Sequence, residues 1–335
     1  MRTKLLRMVN VDLDEIETLA AQALVAHGAR ADVAGHVAHA VRVAEAKGNK
    51  ICGLYYLDSY CTQLQTGRVD GHANPQVSKP RGASVLVDAK FGFAQAAFAA
   101  GLPAALDTAR DLGTCSFAVA HAHTCTSLGY FTEQIANAGF IALGFTNASA
   151  IVAPPGGNAR VIGTNPMAMA VPSADGIAFQ FDYSTSAVAL GKITMAKAAG
   201  EKIPLGWAVD QNGEDTTDPD AALKGALKSA GGYKGWGHGL MVEVLAAAFT
   251  GSIASADVSP LKAPEGPPHD LGQTYLIIDP TTHNPNFHNQ ISALQAAVDA
   301  QQGARLPGSR FTMPSEVDLP DAQWVELLKL AGGLA

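Results

Sequence analysis

The chain has 335 residues, 47% hydrophobic and 16% charged, with a formal net charge of −7 at pH 7. That is enough apolar material for a large core, in one big domain or two to three small ones. The acidic balance and the lack of any long Lys/Arg run argue against a nucleic-acid partner, and no stretch reaches the roughly 18 uninterrupted apolar residues of a membrane span.

The N-terminal MRTKLLRMVNVDLDEIE carries Arg2, Lys4 and Arg7 but meets Asp12, Asp14 and Glu15 before any apolar run. It therefore does not read as a signal peptide, and the expected location is the cytoplasm. Cys52, Cys61, Cys115 and Cys125 form neither CxxC nor a metal-type spacing and are expected as free thiols. Leu13, Ile16, Leu19 and Leu24 recur at helical spacing over 11–28, where Gly28 stops the run. Similar patterns over 31–47 and 54–66 end at Gly48 and Gly67. Residues 1–75 thus read as a helical region with no strand signal.

From residue 76 the texture changes. Ser84–Val87, Phe117–Ala120, Ile141–Thr146, Ala168–Pro172 and Ile177–Phe181 are short runs bounded by turn formers and predict strands. Helical stretches lie between them at Phe93–Leu112 and Tyr130–Ala138. A helix follows at Leu240–Thr250, then a Pro-rich loop (Ser259–Gly272), a strand (Thr274–Asp279), and helices over 287–302 and 320–331. No internal repeat and no regular βαβα alternation is visible, so the class is α/β without a doubly wound sheet.

The usual nucleotide and hydrolase signatures are absent. No GxGxxG follows an early strand, and the Gly191-Lys192 pair lacks the rest of a P-loop. There is no HExxH, no GxSxG and no carboxylate cluster at ligand spacing, so no metal is expected.

Three segments are too polar and Gly-rich for plain core. Gly231-Gly-Tyr-Lys-Gly-Trp-Gly-His-Gly239 leads toward the helix at Leu240; free amides, a positive helix end and Lys234 suit a pyrophosphate, though a tight turn with a solvated lysine fits as well. His238, one turn after Lys234, reads as a packing residue. Gln180-Phe-Asp-Tyr-Ser-Thr-Ser186 ends an apolar strand in a carboxylate and three hydroxyls, which a ribose or phosphate could use, or which simply cap the next helix. Pro154-Pro-Gly-Gly157 and Gly163-Thr-Asn-Pro166 are turns, and Asn165, expected to be extended ahead of its proline, could aim its amide at a substrate.

GTNPMAMAVP, FDYSTSAVALGK, IPLGWAVDQNGEDTTDP and GGYKGWGHGLMVEVLAAAFTG, in this order, closely resemble the type-2 malate/L-lactate dehydrogenase family over roughly residues 10–315. That family also includes ureidoglycolate and sulfolactate dehydrogenases, diketogulonate reductase, and reductases of Δ1-piperideine- and Δ1-pyrroline-2-carboxylate. The resemblance implies a non-Rossmann NAD(P)-binding fold with a mixed, mostly antiparallel sheet and an N-terminal helical layer, in a homodimer. It divides the chain into the helical region (1–75), a mixed cofactor- and substrate-binding region (76–300) and a C-terminal segment (301–335) returning to the cofactor site. It also implies NAD(P)H contacts at Gln180, Phe181, Asp182, Tyr183, Ser184, Thr185, Ser186, Lys234, Gly235, Gly308, Ser309 and Arg310.

Two family motifs are altered. The Ser-His-Gly followed by Arg-Leu reads here Ile51-Cys52-Gly53 followed by Tyr56-Leu57, so Cys52 stands where the proton-donor histidine is usual and Tyr56 where the arginine is. Ser-x-His-x-Gly reads Ala122-His123-Thr124-Cys125-Thr126, with Thr124 at the histidine position. Reducing a 2-oxo acid requires an acid for the alkoxide and a cation for the carboxylate. An iminium arrives already protonated, so losing the histidine is better tolerated in imine chemistry. The sequence therefore points to a reductase of a small cyclic imino acid or 2-oxo acid, with a 2-hydroxy-acid dehydrogenase using relocated groups, or a dinucleotide binder without turnover, as alternatives. Candidate catalytic groups are His123 as a proton relay, Cys52 as a weak acid, Thr124 as a hydrogen-bonder and Asp182 as proton acceptor or counter-charge. Their structural alternatives are a satisfied core histidine, a packing cysteine and strand-end or helix capping. Lys47, Lys50 and Arg42 are candidate carboxylate-holding cations, and Lys47, Tyr56 and Asn165 candidate substrate contacts.

Overall fold

The structure, a computed structural model, describes residues 7–333; Arg2 and Lys4 lie outside the described residues. The described residues open with a strand, β1 (Met8–Asp12), and three helices, α1 (Leu13–Ala26), α2 (Ala31–Ala46) and α3 (Leu57–Gln65). Asp12 caps α1 by accepting from the amides of Asp14 (2.7 Å) and Glu15 (3.3 Å), and these two acidic residues complement the helix dipole. Leu13, Ile16, Ala20, Ala23 and Leu24 form its buried stripe against Val33, Val37 and Val41 of α2.

The central sheet takes β2 (Gln76–Arg81), β3 (Ser84–Asp88), β4 (Thr114–Ala122), β5 (Ile141–Thr146), β6 (Met167–Ser173), β7 (Gly176–Tyr183) and β10 (Leu271–Ile278), in the order β2-β3-β4-β10-β5-β6-β7. Only β3 and β4 run parallel, joined by α4 (Ala94–Leu112); every other pair is antiparallel, as the family resemblance implies. α5 (Gly129–Asn137) links β4 to β5. Phe98, Phe117, Phe131 and Tyr275 interlock between the sheet and these helices in the main core. β10, in the middle of the sheet, reads as a nearly continuous buried run for that reason.

A smaller unit beyond the edge strand β7 holds α6 (Leu190–Ala199), the short pair β8 (Ala208–Val209) and β9 (Ala226–Leu227), and α7 (Pro219–Lys224), around Ile162, Val188, Ile193 and Ile203. α8 (Tyr233–Glu243) then passes into a π-helical turn, Val244–Ala248. Two carbonyls of that turn accept from hydroxyls, Leu245 O from Thr274 (2.7 Å) and Ala246 O from Thr250 (2.6 Å). α9 (Phe287–Asp299), β11 (Glu316–Pro320) and α10 (Asp321–Leu330) complete the chain.

Two expectations are corrected. The N-terminal region contains a strand, because β1 pairs antiparallel with β11 near the C-terminus, Met8 opposite Pro320 and Asp12 opposite Glu316. The helix expected at Leu240 begins at Tyr233, so the glycines of Gly235–Gly239 lie inside its first turns rather than in a loop ahead of it.

Candidate functional site

The turn Gly48–Gly53 leaves α2 and folds over a buried carboxyl. Glu45, 2% exposed, accepts from the Leu54 amide (2.8 Å) through Oε1, while its Oε2 has no partner. Burial, the dominant effect, raises its pKa. Gly53 lies so close that a Cβ there would stand 2.2 Å from Glu45 Oε1. This nest fixes the neighbouring Cys52. Burial, reinforced by the charge of Asp182, pushes the Cys52 thiol up to about 12, so it stays protonated at neutral pH.

Asp182 near the end of β7 remains solvent-accessible, yet its carboxyl accepts from Gly129 N (2.7 Å) and Ser127 Oγ (3.4 Å). Desolvation by surrounding atoms raises its pKa, opposed by these bonds and by Lys47. Ser127 follows Thr126, which has φ 61° where the resembling sequences carry glycine. A β-branched residue there costs about 1–2 kcal/mol, strain held where three elements converge.

Asp182, Gln180, Lys47, Gly129, Gly308 and Phe311 are among the walls of a cleft of about 540 Å³. Lys47 pairs with Glu133, donates to Gln180 Oε1 (3.0 Å) and lies 5.4 Å from the Phe311 ring centroid. The C-terminal segment crosses here because Gln180 N donates to Pro307 O (2.9 Å), and Gly308 at φ 71° sits against the Gln180 main chain. Ser309 lines the same cleft, whereas Arg310 points to Ala304 O (3.3 Å) and Asp299 (3.6 Å).

Next to this cleft the hydroxyl strand end meets the glycine-lysine segment. Ala230 N donates to Thr185 O (2.9 Å), Ser186 bridges Ser229, and a Cβ on Gly239 would lie 3.2 Å from Thr185 Oγ1. Ser184 and Ser186 share a hydrogen bond (3.0 Å), and the rings of Phe181 and Tyr183 stack at 5.2 Å. A second cavity of about 340 Å³ opens beside Gly232, Ser229, Lys228 and the Pro154–Gly157 turn. Gly231 and Gly232, both at φ 66°, precede α8, whose first-turn amides lack intrahelical acceptors. The Ser229 Oγ is buried without a partner, and exposed Lys234 has no carboxylate partner among the described residues. Gly235 is needed for packing, since a Cβ there would lie 1.8 Å from Ala230 O.

A malate/L-lactate dehydrogenase family model matches residues 11–320. The chain belongs to the malate/L-lactate dehydrogenase family. It is 40% identical over 300 residues to the (2R)-3-sulfolactate dehydrogenase (NADP(+)) of Chromohalobacter salexigens, covering 90% of each chain. It is 35% identical to the Δ1-pyrroline-2-carboxylate reductase of Ancylobacter novellus, over 96% of this chain and 97% of that one. The crystal structure of Δ1-piperideine-2-carboxylate reductase from Pseudomonas syringae pvar. tomato superposes with a TM-score of 0.88 at 32% identity, over 96% of this chain and 99% of that one. As a dehydrogenase-family member the chain is an oxidoreductase.

A dinucleotide suits the residues present. Unspent amides, the orphaned Ser229 hydroxyl and Lys234, without a carboxylate partner among the described residues, form a donor-rich cradle for phosphate oxygens, and Gln180, Phe181, Asp182, Gly308 and Ser309 share the walls of the neighbouring cleft.

Other candidate positions fare differently. His123 is 1% exposed and does not line the cleft; its Nε2–H donates to Gln63 Oε1 (2.8 Å) and its ring stacks on His269 at 3.9 Å. Burial holds its pKa well below the usual range, so the expected neutral-pH proton relay is replaced by a neutral core histidine. Thr124 is buried and offers its amide to His269 Nδ1 (3.2 Å). Asn165 is not extended: at φ 38° it is fully buried, and its amide donates to Gly239 O (3.1 Å) and Glu243 Oε2 (2.8 Å). With both N–H groups spent it ties α8 in place and offers nothing to a substrate. Arg42 is held by Asp14 (2.8 Å) and Glu17 (3.2 Å), Lys50 donates to Asp318 O (3.1 Å), and His238 is exposed rather than packed.

Sequence reasoning missed Glu45, Glu133, Gln63 and His269. Each acts through partners distant in sequence, apart from Glu45, whose carboxylate in an otherwise apolar helix stripe was the one local signal.

Proposed function

We propose that this chain is an NAD(P)H-dependent reductase of a small cyclic imino acid. What carries the reading is the Asp182 carboxyl on the cleft wall, held by Gly129 N (2.7 Å) and Ser127 Oγ (3.4 Å), taken with the thiol of Cys52. At the proton-donor position that thiol is raised to about 12, too weak an acid to protonate an alkoxide. The two groups suit a substrate whose C=N nitrogen is already protonated. Asp182 supplies the counter-charge to the iminium, and Gly129 N and Ser127 Oγ hold its orientation. Hydride addition to carbon then leaves a neutral secondary amine, which takes its second proton from water. The bound cofactor supplies the hydride; Gln180–Ser186, Lys234, Gly308 and Ser309 hold it, with the α8 amides and the Ser229 hydroxyl taking the phosphates.

The relatives named Δ1-pyrroline-2-carboxylate reductase support this reading. The sulfolactate dehydrogenase relative favours a second one, a 2-hydroxy-acid dehydrogenase in which Asp182, its pKa raised, carries the proton. Oxidation of NADPH and NADH by purified protein separates them, with Δ1-pyrroline-2-carboxylate, Δ1-piperideine-2-carboxylate, pyruvate and 3-sulfopyruvate as substrates. The imines are expected to turn over fastest. Ready reduction of the oxo acids with the imines untouched refutes the imine reading, and nicotinamide fluorescence on mixing without turnover of any substrate identifies a binder.

We further propose a cytoplasmic homodimer. Leu240, Met241, Val244 and Phe249 of α8 and the π turn are 39–58% exposed in a single chain, an apolar stripe suited to a second copy. Sedimentation at micromolar concentration tests it.

A further inference from the structure

We propose that Gln180 is a positioning residue whose side-chain amide, oriented by Lys47, braces Gly129 and through it the Asp182 carboxyl; this rests on the role given to Asp182 above. Lys47, Gly129, Glu133, Gln180 and Asp182 all line the same cleft. The resemblance makes Gln180 a cofactor contact, and its main chain serves that end of the site: its N–H donates to Pro307 O (2.9 Å), and Gly308 packs against it. The amide is spent inside the protein instead.

The neighbours leave that amide one orientation. An ammonium only donates, so Lys47 Nζ, 3.0 Å away, requires Oε1 on its side. A carbonyl only accepts, so Gly129 O requires Nε2, which also reaches Thr132 Oγ1 (3.4 Å). Lys47 is itself fixed by its pair with Glu133 of α5, the two side chains being 22% and 21% exposed. One residue of the edge strand β7 thereby ties the residue that ends α2 to the first turn of α5.

Gly129 opens α5, and its N–H has no acceptor within the helix. That N–H donates to Asp182 Oδ2 (2.7 Å) while the carbonyl of the same residue is held by Gln180, so Gly129 is clamped from both ends. Gln180 and Asp182, two apart on β7, share one face of the strand. The fit is close: a Cβ on Gly129 would lie 3.1 Å from Asp182 Cβ, 3.2 Å from Gln180 Nε2 and 3.3 Å from Asp182 Oδ2. The bond from Ser127 Oγ is longer at 3.4 Å, so the Gly129 amide is the donor that most favours the charged carboxylate an iminium needs. Among the titratable groups bearing on Asp182, Lys47 brings a charge, offset by Glu133. The Cys52 and Cys125 thiols and the Tyr275 hydroxyl are raised by burial and stay neutral at neutral pH. Without the brace the first turn of α5 is free to draw back, the 2.7 Å bond lengthens, and the carboxyl takes up a proton at higher pH.

The test compares wild type, Q180M and Q180N at saturating NADPH, reading kcat for Δ1-pyrroline-2-carboxylate against pH. Methionine keeps the length of glutamine without its amide, and asparagine keeps the amide but falls a methylene short of Gly129. In both, the acid limb set by Asp182 is expected to move up by about one pH unit, which lowers kcat about tenfold on that limb. A limb unmoved in both variants, whatever their thermal stability, overturns the proposal. If wild type reduces no imine, or if its acid limb survives in D182N, carboxyl NMR of protein labelled at its aspartates decides, the Asp182 signal being identified by its loss in D182N. An Asp182 titration moved up in either variant keeps the brace while the catalytic role of Asp182 falls; a titration in the wild-type place overturns it.

Discussion

Replacing Gly53 by alanine would put a methyl carbon 2.2 Å from Oε1, 2.8 Å from Cδ and 3.0 Å from Cγ of Glu45. Gly53 has φ −97°, so the cost is contact and not backbone handedness. Glu45 is 2% exposed and cannot swing to solvent without opening the α2 layer. Relief therefore breaks the 2.8 Å bond from Leu54 N and strands the carboxyl. A lost bond to a buried charged group costs about 1.5–3 kcal/mol, and overpacking adds about 1–3 kcal/mol. A total of about 2–5 kcal/mol is expected once partial relaxation is allowed. An unfolding entropy of about 2.1 cal/mol/K per residue over 335 residues is about 0.7 kcal/mol/K, so Tm should fall by about 3–7 °C. Scanning fluorimetry measures it, and imine turnover should fall with it because Cys52 is displaced. In an E45A background the same change should cost markedly less, since the clashing atoms are gone. A G53A protein as stable as wild type, or an equal loss in both backgrounds, refutes the reasoning.

Glu45 also sets a pH dependence. Its folded pKa lies above 4.5, so its contribution is most favourable below that value and is lost as pH rises through the folded pKa. The stability of E45Q relative to wild type should therefore grow as pH increases from 4.5 and then level off; denaturant titrations that show a constant difference exclude this. D182N should lower kcat for imine reduction by about 10²- to 10³-fold. Wild-type activity should fall as acid protonates Asp182, whose pKa is raised, and this acid limb should vanish in D182N; its persistence would assign the limb elsewhere. K234M should weaken NAD(P)H binding about tenfold or more without changing thermal stability, read by nicotinamide fluorescence.

The elements legible in the sequence were those whose signal is local. α1 and α2 announce themselves by apolar residues at helical spacing ended by glycines, and β3 to β7 by short apolar runs between turn formers. The family, and with it the oxidoreductase class, was legible because four long motifs recur in order, and the altered positions Cys52, Tyr56 and Thr124 could be read by register against them. Tertiary structure decided what depends on distant partners. β1 is a strand only because β11, some 300 residues on, supplies its hydrogen bonds, as the Asn10–Asp318 contact with a separation of 308 shows. His123 lost its proposed role through burial against Gln63 and His269, and Asn165 through two bonds to α8. A residue's type sets which protons and charges it can offer. Whether they are spent, buried or free is fixed by neighbours that only the folded chain brings into contact.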